Sequence, residues 1–181
     1  MKQDVKEFFK EMISIILIAF ILAMILRTFV IEGRIIPTGS MLPTVQLQDR
    51  VMVSKFVYRF KEPQRGDVIV FAPPEVINSS DDFLKRVIGL PGETVEIKDG
   101  KVHIDGRELN EPYVAEEILY TFGPVTVPDD SLLVLGDNRN SSFDSHSWGA
   151  WMQIDHIKGK AFMIYWPLNH ITLLEREAAF N

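Results

Sequence analysis

The 181-residue chain contains no cysteine, so disulfides, zinc–thiolate sites and cysteine nucleophiles are excluded. A basic excess is also missing, because 19 Lys and Arg stand against 25 Asp and Glu, for a net charge of −6. This balance argues against a nucleic-acid partner, which would require a basic face. Low-complexity segments and repeats of fixed period are absent as well, so the chain has the composition of one globular domain with an additional segment.

Several familiar catalytic and metal-binding patterns are absent. The chain has no G-x-S-x-G elbow, no Walker loop, no HExxH and no S-x-x-K, and the last absence sets aside enzymes of the serine β-lactamase type. No two of the four histidines have a spacing typical of metal ligands. The sequence therefore predicts no metal site.

A long apolar run lies near the N-terminus. Residues 12–26 are apolar except for Ser14, and "TFVI" extends the run past Arg27 to Ile31. A bilayer needs about 20 helical residues, so 12–31 predicts a transmembrane anchor with Arg27 reaching the interface. Three lysines in the tail 1–11 indicate a cytoplasmic N-terminus. The alternatives are a buried core helix and a cleaved secretory signal, but no small-x-small cleavage site follows the run.

The region 32–181 predicts one extracytoplasmic domain of β type. Short runs rich in Val, Ile and aromatic residues alternate with Gly, Pro, Asp and Asn. The segment Lys98–Lys101, "KDGK", predicts a hairpin with a type I′ turn. The segment Leu173–Phe180 predicts a turn or two of helix. We therefore expect a mainly β, partly open barrel-like catalytic domain behind one N-terminal transmembrane helix.

Four short segments combine or adjoin Gly, Pro and polar residues: "IPTGSMLPT" (36–44), "RGDVIVF" (65–71), "KRVIGLPGE" (85–93) and "GDNRNSSFDSHSWG" (136–149). Each segment alone is more typical of a tight turn than of a catalytic site. Together, in this order and behind an anchor, they resemble the bacterial type I signal peptidases over nearly the whole chain. The short length is similar to the compact, single-span branch of that Ser/Lys-dyad family.

The resemblance implies a set of catalytic roles. Ser40 is the expected nucleophile and Lys85 the expected general base, which requires a neutral amine and hence an apolar environment. Thr38 and the Ser40 backbone N–H are the expected oxyanion donors, and Ser142 is expected to hydrogen-bond the lysine amine. Pro37 and Pro43 restrict the backbone on either side of Ser40, which fits a fixed, presented hydroxyl.

Further residues are implied in substrate binding and in bracing the site. The expected walls of shallow pockets for small residues are Ile36, Pro37, Met41, Val45, Val51 and Leu84, although the apolar members also fit ordinary strand core residues. The expected structural supports are Arg86, Asp137, Arg139, Asp144 and His146.

One position departs from the family pattern. Where relatives usually carry Asp-Ser-Arg, this chain has Asp144-Ser145-His146. We hypothesise that Arg86 takes over part of the support of Asp144, and that stability near the site varies with pH as the histidine titrates.

Aromatic side chains occur in the segment Trp148–Met152 and at Phe60, and two placements are open for them. They fit a surface resting at the lipid headgroups, but buried core aromatics are the favoured interpretation.

The resemblance as a whole implies a membrane-bound serine endopeptidase that removes signal peptides from secretory preproteins after Ala-x-Ala sites. The expected partners are these preproteins and the lipid bilayer, with no nucleic acid, metal or cofactor. The expected location is the cytoplasmic membrane, with the catalytic domain outside. Two alternatives are an inactive, membrane-anchored relative that acts as a scaffold, and a soluble self-cleaving Ser/Lys peptidase of repressor type. The intact Ser40, Lys85 and Ser142 argue against the inactive relative, and the apolar anchor argues against the repressor-type peptidase.

Overall fold

The fold begins with one long helix, α1 (Lys2–Phe29), which leads directly into the first strand. A computed structural model describes residues 2–176 and 178–180, with the side chains of 2–5, 25–29 and 179 outside the description. Within the described part of the chain, no helix has the length and apolar content needed to cross a membrane. The predicted anchor, 12–31, includes 25–29 and so lies partly outside the described side chains.

The rest of the chain is mainly β, as expected. Its short second helix is α2 (Ser145–Trp148). The strands are β1 Ile31–Ile35, β2 Arg50–Ser54, β3 Val68–Phe71, β4 Phe83–Gly89, β5 Thr94–Lys98, β6 Lys101–Ile104, β7 Arg107–Asn110, β8 Phe122–Thr126, β9 Ser131–Leu135, β10 Met152–Gln153, β11 Ile157–Trp166, β12 Thr172–Leu173 and β13 Ala179–Phe180.

The larger sheet is curled but not closed. It has eight strands in the order β1-β2-β11-β3-β4-β9-β10, with β12 beside β11. Although β2, β11 and β3 separate β1 from β4, Arg34 of β1 reaches Asp82 just before β4, with Nη1 and Oδ2 3.0 Å apart. Among the described residues, the edge strands β1 and β10 do not pair with each other. The predicted partly open, barrel-like architecture is therefore confirmed.

A smaller, five-stranded sheet has the order β13-β7-β6-β5-β8. The predicted hairpin joins β5 to β6, where Lys98 pairs with Lys101. Asp99 and Gly100 have φ of 51° and 74°, the left-handed conformation that a type I′ turn requires. The Asp-Gly signal is therefore confirmed.

The helix predicted for Leu173–Phe180 is wrong. Leu173 ends β12, the Leu174 N–H donates to the Phe162 carbonyl at 2.9 Å, and Phe180 pairs with Leu109 in the smaller sheet. Strand edges of both sheets offer this segment hydrogen-bond partners, whereas a helix of one or two turns gains little from its own bonds. Glu177 lies outside the described residues.

The core is built on both faces of strand β9. Leu133 and Leu135 belong to the apolar cluster under the smaller sheet, whereas Leu132 and Val134 belong to a second cluster that contains Trp148. Since side chains alternate along a strand, a strand buried on both faces is apolar at every position. The favoured core interpretation is confirmed for Trp148, which is 7% exposed, and Met152 lies in the same cluster.

Phe60 lies outside these clusters. Its side chain is 72% exposed, and its ring packs edge-on against Phe56 with the centroids 4.8 Å apart. The core interpretation therefore does not extend to Phe60.

We expect Leu133→Ala to lower the free energy of unfolding by about 2–5 kcal/mol, because Leu133 is fully buried and truncation leaves a cavity. Leu119→Ala is the matched control, since Leu119 is 84% exposed and its truncation should change stability by less than about 0.5 kcal/mol. Thermal unfolding followed by circular dichroism measures both, and equal losses would contradict this placement of the core.

Candidate active site

The two residues expected to carry catalysis meet at the curl of the larger sheet. Ser40 lies in the loop that follows β1, and Lys85 is the third residue of β4, paired with Ile69 of β3. The Lys85 Nζ lies 2.6 Å from the Ser40 Oγ, within hydrogen-bonding distance. Residues 45 positions apart are thus brought together by the sheet topology.

Backbone hydrogen bonds fix the shape of the Ser40 loop. The Ile36 N–H donates to the Asp49 carbonyl at 2.9 Å, and the Gln48 N–H returns to the Ile36 carbonyl at 2.8 Å, which closes the loop at its base. Inside the loop, the Leu42 N–H donates to Gly39 at 3.2 Å, which forms a turn around Ser40. The Ser40 hydroxyl is therefore held on a turn of defined geometry and remains half-buried.

Lys85 lies in the apolar setting that a neutral amine requires. Its side chain is buried, and its Nζ lies 5.8 Å from the centroid of the Phe83 ring. Burial lowers the pKa of Lys85 to about 8, against the opposing charges of Asp144 and Asp137. About a tenth of the amine is therefore neutral at pH 7, far more than for a lysine at its ordinary pKa, and a neutral amine 2.6 Å from a hydroxyl can accept its proton.

Two groups near Ser40 are able to donate a hydrogen bond to a carbonyl oxygen. The Thr38 Oγ1 lies 3.4 Å from the Ser40 Oγ and is exposed. The Ser40 backbone N–H donates to no atom among the described residues. Both groups are therefore available to a carbonyl oxygen at Ser40, and their role as oxyanion donors stays a prediction.

Ser142 lies beside the pair without the hydrogen bond expected of it. Its Oγ is buried and has no partner among the described residues, so the predicted bond to Lys85 is not formed. Gly136 shows how closely the two loops pack, because a Cβ there would lie 2.3 Å from both the Ser142 Oγ and the Ser40 carbonyl oxygen. Only glycine fits at this position, and Ser142 is an unsatisfied polar group at the edge of the site.

Asn138 holds the Ser40 loop and was not singled out from the sequence. Its backbone N–H donates to the Ser40 carbonyl at 3.1 Å, and its side-chain amide donates to the Gly39 carbonyl at 3.1 Å. Asn138 lies in the "GDNR" segment between Asp137 and Arg139, but amide side chains that bind backbone carbonyls leave no pattern in a single sequence.

Arg86 supports Asp137, which corrects the hypothesis that it supports Asp144. Its Nε and Nη2 donate to the two Asp137 carboxylate oxygens at 2.8 and 2.7 Å, and Thr44 Oγ1 donates to the same carboxylate at 2.6 Å. Arg86 and Asp137 are each 1% exposed. Asp137 lies within reach of the guanidinium fork and satisfies it bidentately, which leaves no reason for Arg86 to bind Asp144.

Asp144 is instead satisfied by its own helix and by His146. Its carboxylate caps α2, accepts the Gly136 N–H at 2.9 Å, and lies 2.6 Å from the His146 Nδ1. The imidazole stacks on Tyr120, with the ring centroids 4.0 Å apart. His146 therefore occupies the supporting position expected of it, and the pH dependence of stability attributed to it stays a prediction.

A second buried ion pair lies behind the same loop. The two Arg139 terminal nitrogens donate to the Glu111 carboxylate at 2.7 and 2.6 Å, and Arg139 Nε donates to the Gly136 carbonyl at 3.1 Å. The Tyr113 hydroxyl also donates to Glu111, at 2.7 Å. Glu111 is a further supporting residue that the sequence did not indicate, because its partner lies 28 positions away.

The residues expected to form substrate pockets are mostly buried. All but one lie in a single apolar cluster of the larger sheet: Ile36, Met41, Val45, Val51 and Leu84. Pro37 is exposed. The arrangement agrees with the core interpretation, and the pocket role stays a prediction. Among the described residues, no group of three His, Asp or Glu side chains is arranged to hold a metal ion.

A β-rich body with a buried lysine amine against a serine hydroxyl has the components of a serine hydrolase site. The family model for signal peptidase, peptidase S26, matches residues 9–166, and the chain therefore belongs to this family. The chain is thus a serine endopeptidase of the signal peptidase I type.

Named relatives are similar over most of their length. A probable signal peptidase I-2 of Synechocystis sp. is 47% identical over 88% of this chain and 76% of its own. A signal peptidase I of Leptolyngbya laminosa is 48% identical, covering 89% and 81%. Signal peptidase I S of Bacillus subtilis is 34% identical, covering 89% and 91%. A signal peptidase I structure from Enterococcus faecalis matches with 36% identity and a TM-score of 0.48, covering 55% of this chain and 97% of that chain.

We expect kcat/KM for a preprotein to rise through about pH 8, because Lys85 could act as a base only as the neutral amine and its pKa lies at about 8. Asp144→Asn should move the midpoint to lower pH, since the Asp144 charge raises the pKa of Lys85 and asparagine remains a good helix cap. Initial rates at low substrate from pH 6 to 10 measure both. A rise centred near pH 10 in the wild type would contradict the burial argument.

We expect Asp137→Asn to lower the free energy of unfolding by about 3–5 kcal/mol, because it leaves the buried Arg86 charge without its partner. Glu108→Gln is the control, since it breaks the exposed Lys101–Glu108 pair and should cost about 1 kcal/mol or less. Thermal unfolding in detergent compares the two variants. Equal shifts in melting temperature would show that the buried pair is not a structural support.

Proposed function

We propose that this protein is anchored in the cytoplasmic membrane by residues 12–31 and removes signal peptides from secretory preproteins with a Ser40–Lys85 dyad. The observation that carries the proposal is the 2.6 Å separation of the Lys85 Nζ and the Ser40 Oγ. Burial of the lysine supplies the second requirement, because it favours the neutral amine. Family membership supplies the substrate class, preproteins with signal peptides.

In the acylation step, Lys85 accepts the Ser40 hydroxyl proton as the Oγ attacks the scissile carbonyl carbon. The Ser40 N–H and the Thr38 hydroxyl donate to the oxygen that becomes negative. Lys85 then gives the proton to the leaving amine, and the C–N bond breaks. In deacylation, Lys85 takes a proton from water, the resulting hydroxide attacks the ester carbonyl, and Ser40 is regenerated by proton return.

Ser142 has a place in this cycle as an orienting group. Its buried, unsatisfied hydroxyl can rotate to accept a hydrogen bond from the Lys85 amine, which directs the nitrogen lone pair toward Ser40. The cost of leaving a buried hydroxyl unpaired favours such a rotation.

Specificity for Ala-x-Ala sites agrees with the walls near Ser40. Ile36, Met41 and Leu84 belong to one buried apolar cluster at the base of the Ser40 loop and on β4. Pockets formed at the edge of such a packed cluster are shallow, so they accept small residues and reject large ones.

The anchor rests on the apolar surface of α1. Its side chains from Phe8 to Met24 include many exposed apolar groups, among them Ile13, Leu17 and Phe20 at 62%, 56% and 62%. Such a surface is unfavourable in water and favourable in lipid. With the lysine-bearing tail 1–11 inside, the catalytic domain 32–181 lies on the extracytoplasmic side.

We expect the full-length protein in detergent to cleave a preprotein with an Ala-x-Ala site. Ser40→Ala and Lys85→Met should each reduce kcat by at least about a hundredfold, because each removes one half of the dyad. Ser141→Ala and Lys98→Met are matched controls that should keep full activity, since Ser141 is exposed and Lys98 lies at the β5–β6 turn.

The two outcomes that contradict this proposal point to different alternatives. Activity that survives in Lys85→Met would require another base. A folded wild type that cleaves nothing would favour the inactive, scaffold-type relative.

A further inference from the structure

A cavity of about 210 Å³ lies beside the Ser40 loop and has no part in the chemistry above. It is lined by Leu42 and Pro43 of the Ser40 loop and by the four residues 137–140. The exposed residues Ala115 and Glu116 complete the lining and are called its rim below. Ligand sites for whole small molecules are usually larger, at about 300–1,000 Å³, so this cavity suits a side chain.

The cavity is adjacent to the nucleophile. Asn138, one of its walls, donates hydrogen bonds to both the Ser40 and the Gly39 carbonyls. Leu42, which also lines the cavity, closes the turn around Ser40 through its N–H. The cavity therefore borders the loop at which a bound substrate carbonyl would lie.

The rim of the cavity is held in a fixed position. The Asn140 Oδ1 accepts the Leu119 N–H at 2.9 Å, and its Nδ2 donates to the Glu117 carbonyl at 2.9 Å. These two bonds tie the segment carrying Ala115 and Glu116 to the Ser142 loop. Because both the oxygen and the nitrogen of the Asn140 amide hold this segment, the backbone that carries Glu116 is kept in a fixed position next to the cavity.

The charges around the cavity leave one carboxylate unopposed. Asp137 is paired with Arg86, and Arg139 is paired with Glu111. Glu116 is exposed and makes no hydrogen bond or ion pair with the residues that the structure describes. The local field at the rim is therefore negative, and it favours a cationic side chain.

We propose that this cavity receives the substrate segment that follows the scissile bond, and that Glu116 gives it a preference for a basic residue there. The inference rests on the proposed function. A peptide bound at Ser40 must continue in two directions. One direction leads toward β1 and the start of β4, where Arg34 reaches Asp82. The other passes Leu42 and Pro43 and enters the cavity.

The test uses preproteins that are identical up to the cleavage site. Lysine, glutamine or glutamate is placed in turn at the first, second and third positions after the bond, and kcat/KM is measured with the full-length protein. We expect a lysine preference over glutamate of about two- to fivefold at one or two of these positions, the size of a single exposed-charge effect. The preference should disappear at high salt, where exposed charges are screened.

Variants at the rim assign the effect to one carboxylate. Glu116→Gln should abolish the lysine preference and Glu116→Lys should reverse it, whereas the adjacent, exposed Glu117→Gln should leave it unchanged. Ala115→Trp should fill the cavity and lower kcat/KM for large residues at the same positions, with little effect on alanine there. A KM-dominated change is expected, because the segment binds before the chemical step.

The outcomes separate this inference from the function on which it rests. If the wild type cleaves all substrates equally, or if Glu116→Gln and Glu117→Gln behave alike, the cavity is not the binding site and the peptidase function stands. If the wild type cleaves no preprotein, the proposed function itself fails.

Discussion

The exclusion of water from the Lys85 amine is the constraint on which the site depends. A lysine at its ordinary pKa would be charged and could not take a proton, so the amine must be buried against apolar groups. Strand β4 provides this burial because both of its faces are covered, and every residue from Leu84 to Gly89 is buried. Desolvation of this amine thus depends on a strand that is covered on both faces, and a central strand provides that cover where a loop would not.

The other face of β4 carries a side chain that stays charged, in contrast to the Lys85 amine. Arg86 follows Lys85 directly and keeps its charge, because Asp137 satisfies its guanidinium bidentately. The Asp137 carboxylate also accepts the Thr44 hydroxyl, so the ion pair is linked to the loop that carries Ser40. One strand therefore presents an amine whose burial favours the neutral form and a cation that is paired. The loop that carries Ser40 is positioned by contacts to Lys85 and to the ion pair of Arg86.

The sequence was most informative where chemistry and turn geometry are local. The β texture, the Asp-Gly hairpin, and the pairing of Ser40 with Lys85 by family resemblance all agreed with the structure. It was least informative where a contact joins distant segments through backbone atoms, as at Asn138 or in the strand pairing of Phe180. The incorrect hypothesis that Arg86 supports Asp144 has the same origin. The sequence shows which carboxylates are present, but not which of them the fold places beside Arg86.

Direct titration of the Lys85 amine tests the central claim. The full-length protein, labelled with 13C-lysine in detergent, can be followed by Hε–Cε NMR from pH 6 to 11, with Lys85→Met used to assign the resonance. We expect the Lys85 resonance to titrate near pH 8, well below the resonances of the exposed lysines. A Lys85 resonance that titrates together with the others, above about pH 10, would contradict this expectation.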